Sequence, residues 1–195
     1  MIKKLKHTKE IVEEKIQHIT TLKKLTLNTS IQDFVVKGTA EYSQYTIEFY
    51  EVIGDILEEI GFQKVAVTRE GDTNNRMDAI IIDEKRSIPI EIKSPKEIEY
   101  INIKSVRQAL ENKIVLLSRK FYPTQKEVSS LAIGFEYPND RSGVYEAIDD
   151  IYETFNISVG IISFGSLLRL FFEKTVNKKE IDLEKIYYLK GIYND

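Results

Sequence analysis

Apolar positions in the N-terminal part of the chain fall into a helical rhythm. Between residues 6 and 27, Ile11, Val12, Ile16, Ile19, Leu22 and Leu25 recur at roughly helical spacing with charges between them. This predicts an amphipathic helix or a pair of helices. Residues 28–40 read as a connection, with Gly38 as a breaker. The clearest helix covers residues 41–60, where Ile47, Phe49, Val52, Ile53, Ile56, Leu57 and Ile60 make one stripe. Acidic side chains from Glu48 to Glu59 fill its other side, and Gly61 suits a C-terminal cap.

The rhythm then shortens to that of strands. KVAVT at 64–68 predicts a short strand, and REGDTNN at 69–75 a polar loop. Two apolar runs, about 77–83 and 88–93, flank the polar turn Asp83–Ser87 and read as a β-hairpin. A helix follows over about 102–120, carrying Val106, Ala109, Leu110, Ile114, Leu116 and Leu117. Next come a buried strand at 130–135, a helix at 140–155, a buried strand at 157–163 and a helix at 167–176. A last short helix is expected at 181–189, with Asp182 and Glu184 early and Lys190 late, as its dipole favours. This order predicts an α/β fold with a mixed central β-sheet flanked by helices, antiparallel at the hairpin and parallel where helices cross over. Residues 1–40 are expected as an N-terminal helical extension and residues 41–195 as a single domain.

Composition narrows the chemistry. At 195 residues and 42% hydrophobic content the chain can bury one ordinary core. It has no cysteine, which excludes disulfides and thiolate metal sites. Its two histidines, His7 and His18, both lie in the N-terminal helical stretch, so a His-ligated zinc site or a His-based triad is not expected. Any metal should be held by carboxylate and backbone oxygens, which suits magnesium or manganese. No apolar run approaches the ~20 residues of a membrane span. The opening MIKKLKHTKEIVEEK has no apolar segment after its basic residues and does not read as a signal peptide. A cytoplasmic location without membrane association is the default expectation. The net charge of −3 argues against nucleic-acid binding by bulk electrostatics and leaves a local basic face to be sought.

The chemistry gathers at residues 76–95, RMDAIIIDEKRSIPIEIKSP. Glu91 and Lys93 are two apart on a predicted strand, so they share a face while Ile90 and Ile92 alternate into the core. Aspartate at a strand start and lysine on a half-exposed strand are ordinary surface residues when taken singly. Together in an apolar run they differ, because a charge in a buried strand is costly unless paired or metal-bound. Asp78, Glu91 and the Ile92 backbone carbonyl would hold a divalent ion. Lys93 would orient or deprotonate a water and stabilise negative charge in the transition state.

Asp78, a hairpin turn, then Glu91-Ile92-Lys93 resembles the PD-(D/E)xK nuclease motif, with Met77 in place of the signature's first proline. The layout from roughly Glu41 onward, including a buried strand near Leu131 and the segment NISVGIISFGSLLRLF, is similar to the cleavage domain of FokI-type type IIS restriction endonucleases. The resemblance implies a restriction-endonuclease-like fold and Mg²⁺-dependent cleavage of double-stranded DNA, with Mn²⁺ able to substitute. It implies little sequence preference in this chain, so recognition would come from another domain or subunit. It also implies a second nuclease domain, in a homodimer or heterodimer, for a double-strand break. In such nucleases a glutamate of the first core helix joins the metal site, and here Glu51, then Glu48, is the candidate. Gln108 resembles a glutamine that some relatives place beside the active site. For Glu48 and Glu51 a solvated helix face is the competing reading.

Lys93, Lys96, Lys104, Arg107, Lys113, Arg119, Lys120 and Lys126 outnumber the glutamates among them. On one face they would track phosphates; otherwise they are a solvated helix surface. The aromatic pairs Phe121–Tyr122 and Tyr187–Tyr188 are expected to pack rather than stack on bases. Two other functions compete: a structure- or modification-dependent repair or resolvase nuclease, and a non-catalytic DNA-binding or assembly module of the same fold.

Overall fold

The computed structural model describes residues 2–68 and 77–194, with side chains from residue 12 onward. The polar loop expected at 69–75, Arg76 and the side chains of His7 and Ile11 lie outside the described residues. The elements are α1 (Ile2–Leu25), α2 (Ile31–Tyr42), α3 (Ile47–Ile60), β1 (Val65–Val67), β2 (Ala79–Ile81), β3 (Ile88–Lys93), α4 (Ile103–Ser118), β4 (Ser130–Gly134), α5 (Val144–Phe155), β5 (Val159–Ser163), α6 (Phe164–Thr175), α7 (Glu184–Tyr187) and β6 (Gly191–Ile192). The strands form one mixed sheet in the order β1-β2-β3-β4-β5-β6. Pairing is antiparallel through β1, β2 and β3 and parallel from β3 to β6. This is the layered α/β fold that the hydrophobic pattern predicts.

Strand alternation sends successive side chains to two different cores. Ile90, Ile92, Leu131, Ile133 and Ile162 face a core shared with α1, α2, α3 and α6. Ala132, Val159 and Ile161 face a second core under α4 and α5. Glu91 and Lys93, being out of phase with Ile90 and Ile92, therefore lie on the α4 side. A smaller cluster of Met77, Ile80 and Leu116 covers β2 on that side, with Ile82, Val115 and Tyr122 packed against it.

Several boundaries depart from expectation for identifiable reasons. Residues 31–42 are a helix, not a connection: Ser30 caps it by accepting from the Asp33 N–H at 3.1 Å. Gly38 breaks nothing. It gives α2 a close approach to α6, since a Cβ there would lie 2.9 Å from Leu168 Cδ1. The helix expected at 140–155 starts only at Val144, because Gly143 stands in left-handed backbone at φ 63°. The last expected helix shrinks to one turn, and the chain then pairs Gly191 with Gly160 as β6.

The N-terminal helices are part of the main core. Phe34 is fully buried, with ring centroids 6.0 Å from Phe171 and 5.5 Å from Phe172. His18 bonds Asp55 at 2.8 Å, and Lys15 pairs with Glu58, tying α1 to α3. Phe34→Leu should therefore destabilise the whole chain by about 1–2 kcal/mol in one cooperative denaturant transition. A separate early transition for the N-terminal helices would show instead that they fold apart from the sheet.

Candidate active site

The hairpin builds the site through its register. The turn is closed by Asp83, whose Oδ1 accepts from the Lys85 and Arg86 N–H groups at 2.9 Å each, an Asx-type turn. Ala79 then pairs with Ile90 and Ile81 with Ile88. That register sets Asp78, just before β2, beside Glu91 and Ile92 at the C-terminal end of β3. Asp78 Oδ2 accepts the Ile92 N–H at 2.8 Å.

Glu91 is buried, 4% exposed, and both its oxygens are engaged. Lys93 Nζ is 2.7 Å from Oε1, and Asn112 Nδ2 of α4 donates to Oε2 at 3.0 Å. A buried carboxylate held by an ammonium and an amide has a fixed orientation, which a metal ligand needs. From the other face of the sheet, Tyr50 of α3 reaches the same point. Its hydroxyl donates to the Ile92 carbonyl at 3.1 Å and to Glu97 Oε2 at 2.7 Å, one proton shared by two acceptors. Glu97 also accepts from the backbone and side chain of Ser94, both at 2.9 Å.

Charge balance is the site's main physical feature. Among the described residues, Asp78, Glu91 and Glu97 surround the Lys93 ammonium. Burial, then the neighbouring Glu91, push the Asp78 carboxyl up to about 7 from its ordinary 3.8, against the Ile92 N–H and Lys93. Desolvation opposes the Lys93 ammonium, but its bond to Glu91 and the charges of Glu91, Asp78 and Glu97 raise it above the usual lysine value. These neighbours favour the ammonium form of Lys93, which suits stabilising negative charge or orienting a water more than deprotonating one. Burial and the hydrogen bond to Glu97 hold the Tyr50 phenol well above its usual range, so it remains a donor.

These residues fit a hard divalent cation. The available donors are two carboxylates and the Ile92 carbonyl, all oxygens, and the surplus negative charge that raises Asp78 is what such an ion would neutralise. Among the described residues no three His, Cys, Asp or Glu side chains cluster as a cage. The ion would thus keep water in its remaining positions, as magnesium commonly does.

The structure brings Asp78, Glu91, Ile92 and Lys93 together, and treats the two further candidates differently. Glu51 lines a recess of about 130 Å³ with Tyr50, Val67 and Thr68, toward β1, while Glu48 is exposed. Tyr50, also on α3, bonds the end of β3. Gln108 lies one turn before Asn112 on α4 with its Oε1 buried and unpartnered, and Asn112 makes the bond to Glu91. Tyr50, Glu97 and Asn112 are thus the additions that the structure makes. Glu97 had a signal: Ser94-Pro95-Lys96-Glu97 is a capping-box pattern, in which the glutamate folds back on the serine N–H. Asn112 also had one, as a polar residue in line with Ala109 and Leu116 on the inward stripe of α4. The expected basic face loses Lys113, which is fully buried and donates to Thr124 at 2.7 Å. Burial brings its ammonium down to about 8.

Tyr50→Phe removes one donor shared by two acceptors, one of them charged. It should cost about 1–2 kcal/mol of stability in a denaturant titration. An unchanged midpoint would mean that water replaces the hydroxyl at no cost.

No family model matches the chain, and no curated protein matches its sequence. Among solved structures, the restriction endonuclease FokI bound to DNA is similar, with a TM-score of 0.49 and 13% identity over 95% of this chain and 34% of that one. This chain therefore spans about a third of the length of that protein. No described helix is long and apolar enough to cross a membrane.

Proposed function

We propose that the chain is a metal-dependent DNA endonuclease domain of the PD-(D/E)xK kind. One observation carries the reading: Asp78, Glu91, Lys93 and the Ile92 carbonyl meet at the end of the hairpin, where among the described residues the carboxylates outnumber the Lys93 ammonium. Asp78, Glu91 and the Ile92 carbonyl would hold Mg²⁺, or Mn²⁺ in its place. A bound ion would polarise the phosphodiester and make a water acidic enough to attack it. Lys93, kept protonated, stabilises the negative charge that grows on the phosphate oxygens. Asn112 fixes Glu91, and Tyr50 with Glu97 fixes the backbone at Ile92. Sequence recognition comes from another domain or subunit, as in a type IIS enzyme, and a second nuclease domain completes a double-strand break.

Supercoiled plasmid tests this directly. Nicked product should form with Mg²⁺ and not with EDTA, and linear product should rise steeply with protein concentration. Cutting that ignores EDTA would reject the proposal. One observation favours the non-catalytic module instead: the Asp78 and Glu91 carboxylates and the Ile92 carbonyl already have protein partners. On that reading DNA is bound, Mn²⁺ is not, and no nick appears.

A further inference from the structure

The loop after α4 presents a bare aromatic ring on a rigid base. Phe121 is 89% exposed, which corrects the expectation that it packs; its neighbour Tyr122 does pack, against the Met77–Ile80–Leu116 cluster. The next residues are fastened too. The Pro123 carbonyl accepts the Ser87 N–H of the hairpin turn at 2.9 Å, and the buried Lys113 ammonium holds Thr124. Folding gains nothing from an exposed phenylalanine held between such anchors. A ligand could.

The surroundings indicate which kind. Arg119, Lys120 and Lys126 lie within five residues of Phe121 along the chain, and the hairpin turn that bonds Pro123 carries Lys85, against Glu84 and Glu127. A protein-docking patch has a contiguous apolar centre depleted of charge. A lone aromatic among cations instead suits a polyanion that also offers flat apolar faces, which describes nucleic acid. Position agrees. Tyr122, Leu116, Ile80 and Met77 run continuously along the α4 side of the sheet toward Asp78. The six residues of β3 separate the two ends, a span of about 20 Å. That is about six base pairs of duplex.

We infer that Phe121, with Arg119 and Lys120, forms a second DNA contact about half a helical turn from the cutting site, the cations gripping phosphates while the ring wedges against a base step. The inference rests on the reading of this chain as acting on DNA. It gives a chain of net charge −3 a local means of holding DNA.

The test is fluorescence anisotropy of the full chain with a short labelled duplex, in Ca²⁺ so that nothing is cut. Phe121→Ala should weaken binding about tenfold, and Phe121→Trp should restore it. Lys120→Ala should lower the slope of log affinity against log salt by about one. Thermal midpoints should not move, since both side chains are exposed. Wild-type binding that is indifferent to Phe121→Ala overturns this inference and leaves the nuclease reading standing. So does a Phe121→Ala effect confined to sedimentation of the protein alone, which would mark a protein contact. If wild type fails to bind DNA at all, both readings fall.

Discussion

Lys93→Met should lower the turnover of DNA cleavage by about a thousandfold or more, while DNA binding in Ca²⁺ should persist. Methionine keeps the apolar stem and removes only the ammonium. The lost charge is the cation that offsets Glu91 at 2.7 Å and would face the developing phosphorane. Stability should fall as well. Glu91 is buried, and without Lys93 it keeps Asn112 as its partner beside a raised Asp78. Unpairing a buried charge typically costs about 3–5 kcal/mol. Single-turnover cleavage and a denaturant titration in EDTA measure the two effects. Retained cleavage would remove Lys93 from the chemistry.

Asp78→Asn should abolish cleavage too, but should move stability the other way. In metal-free protein the Asp78 carboxyl is raised from 3.8 to about 7 by burial and by Glu91. A carboxyl raised on folding adds most stability below its unfolded pKa, and that contribution is lost as pH rises through the folded value. Metal-free stability should therefore fall between about pH 4 and pH 7, with the full cost standing at pH 8. Asparagine can still accept the Ile92 N–H and carries no charge to repel Glu91. Asp78→Asn should be more stable than wild type at pH 8 in EDTA by an amount of the order of 2–4 kcal/mol. Mg²⁺ should raise the melting temperature of wild type and leave this variant unmoved. A variant destabilised at pH 8 would mean that Asp78 is an ordinary structural carboxylate.

The opposite signs share one cause. Among the described residues the site holds more carboxylates than cations, so removing Lys93 should destabilise it and removing a carboxylate should stabilise it. An arrangement that costs stability in this way is expected where binding or catalysis requires it.

Much of this was legible in the sequence because period-2 alternation is a local signal. IPIEIK sends Ile88, Ile90 and Ile92 to one core, leaving Glu91 and Lys93 on the other side, and the polar turn fixes the register that puts Asp78 opposite. The residues that were missed depend on how elements pack. Tyr50 reaches the Ile92 carbonyl only because α3 crosses the sheet where it does, and no helical periodicity distinguishes it from Glu51 next to it. Asn112 and Gln108 sit one turn apart on one face of α4, and the depth of that helix over β3 decides which meets Glu91. Lys113 shows the same limit for charge. Counted with the basic residues along the chain, it is in fact fully buried, and its ammonium anchors the loop that carries Phe121.

If two carboxylates and a backbone carbonyl at the hairpin end hold one divalent ion, that ion can be located directly. A crystal structure of the chain soaked in Mn²⁺, with anomalous scattering to locate the metal, tests this most directly. A peak is expected between Asp78, Glu91 and the Ile92 carbonyl, with the Tyr50 hydroxyl donating to Glu97. No peak there at saturating Mn²⁺, or an ion bound only elsewhere, would contradict it.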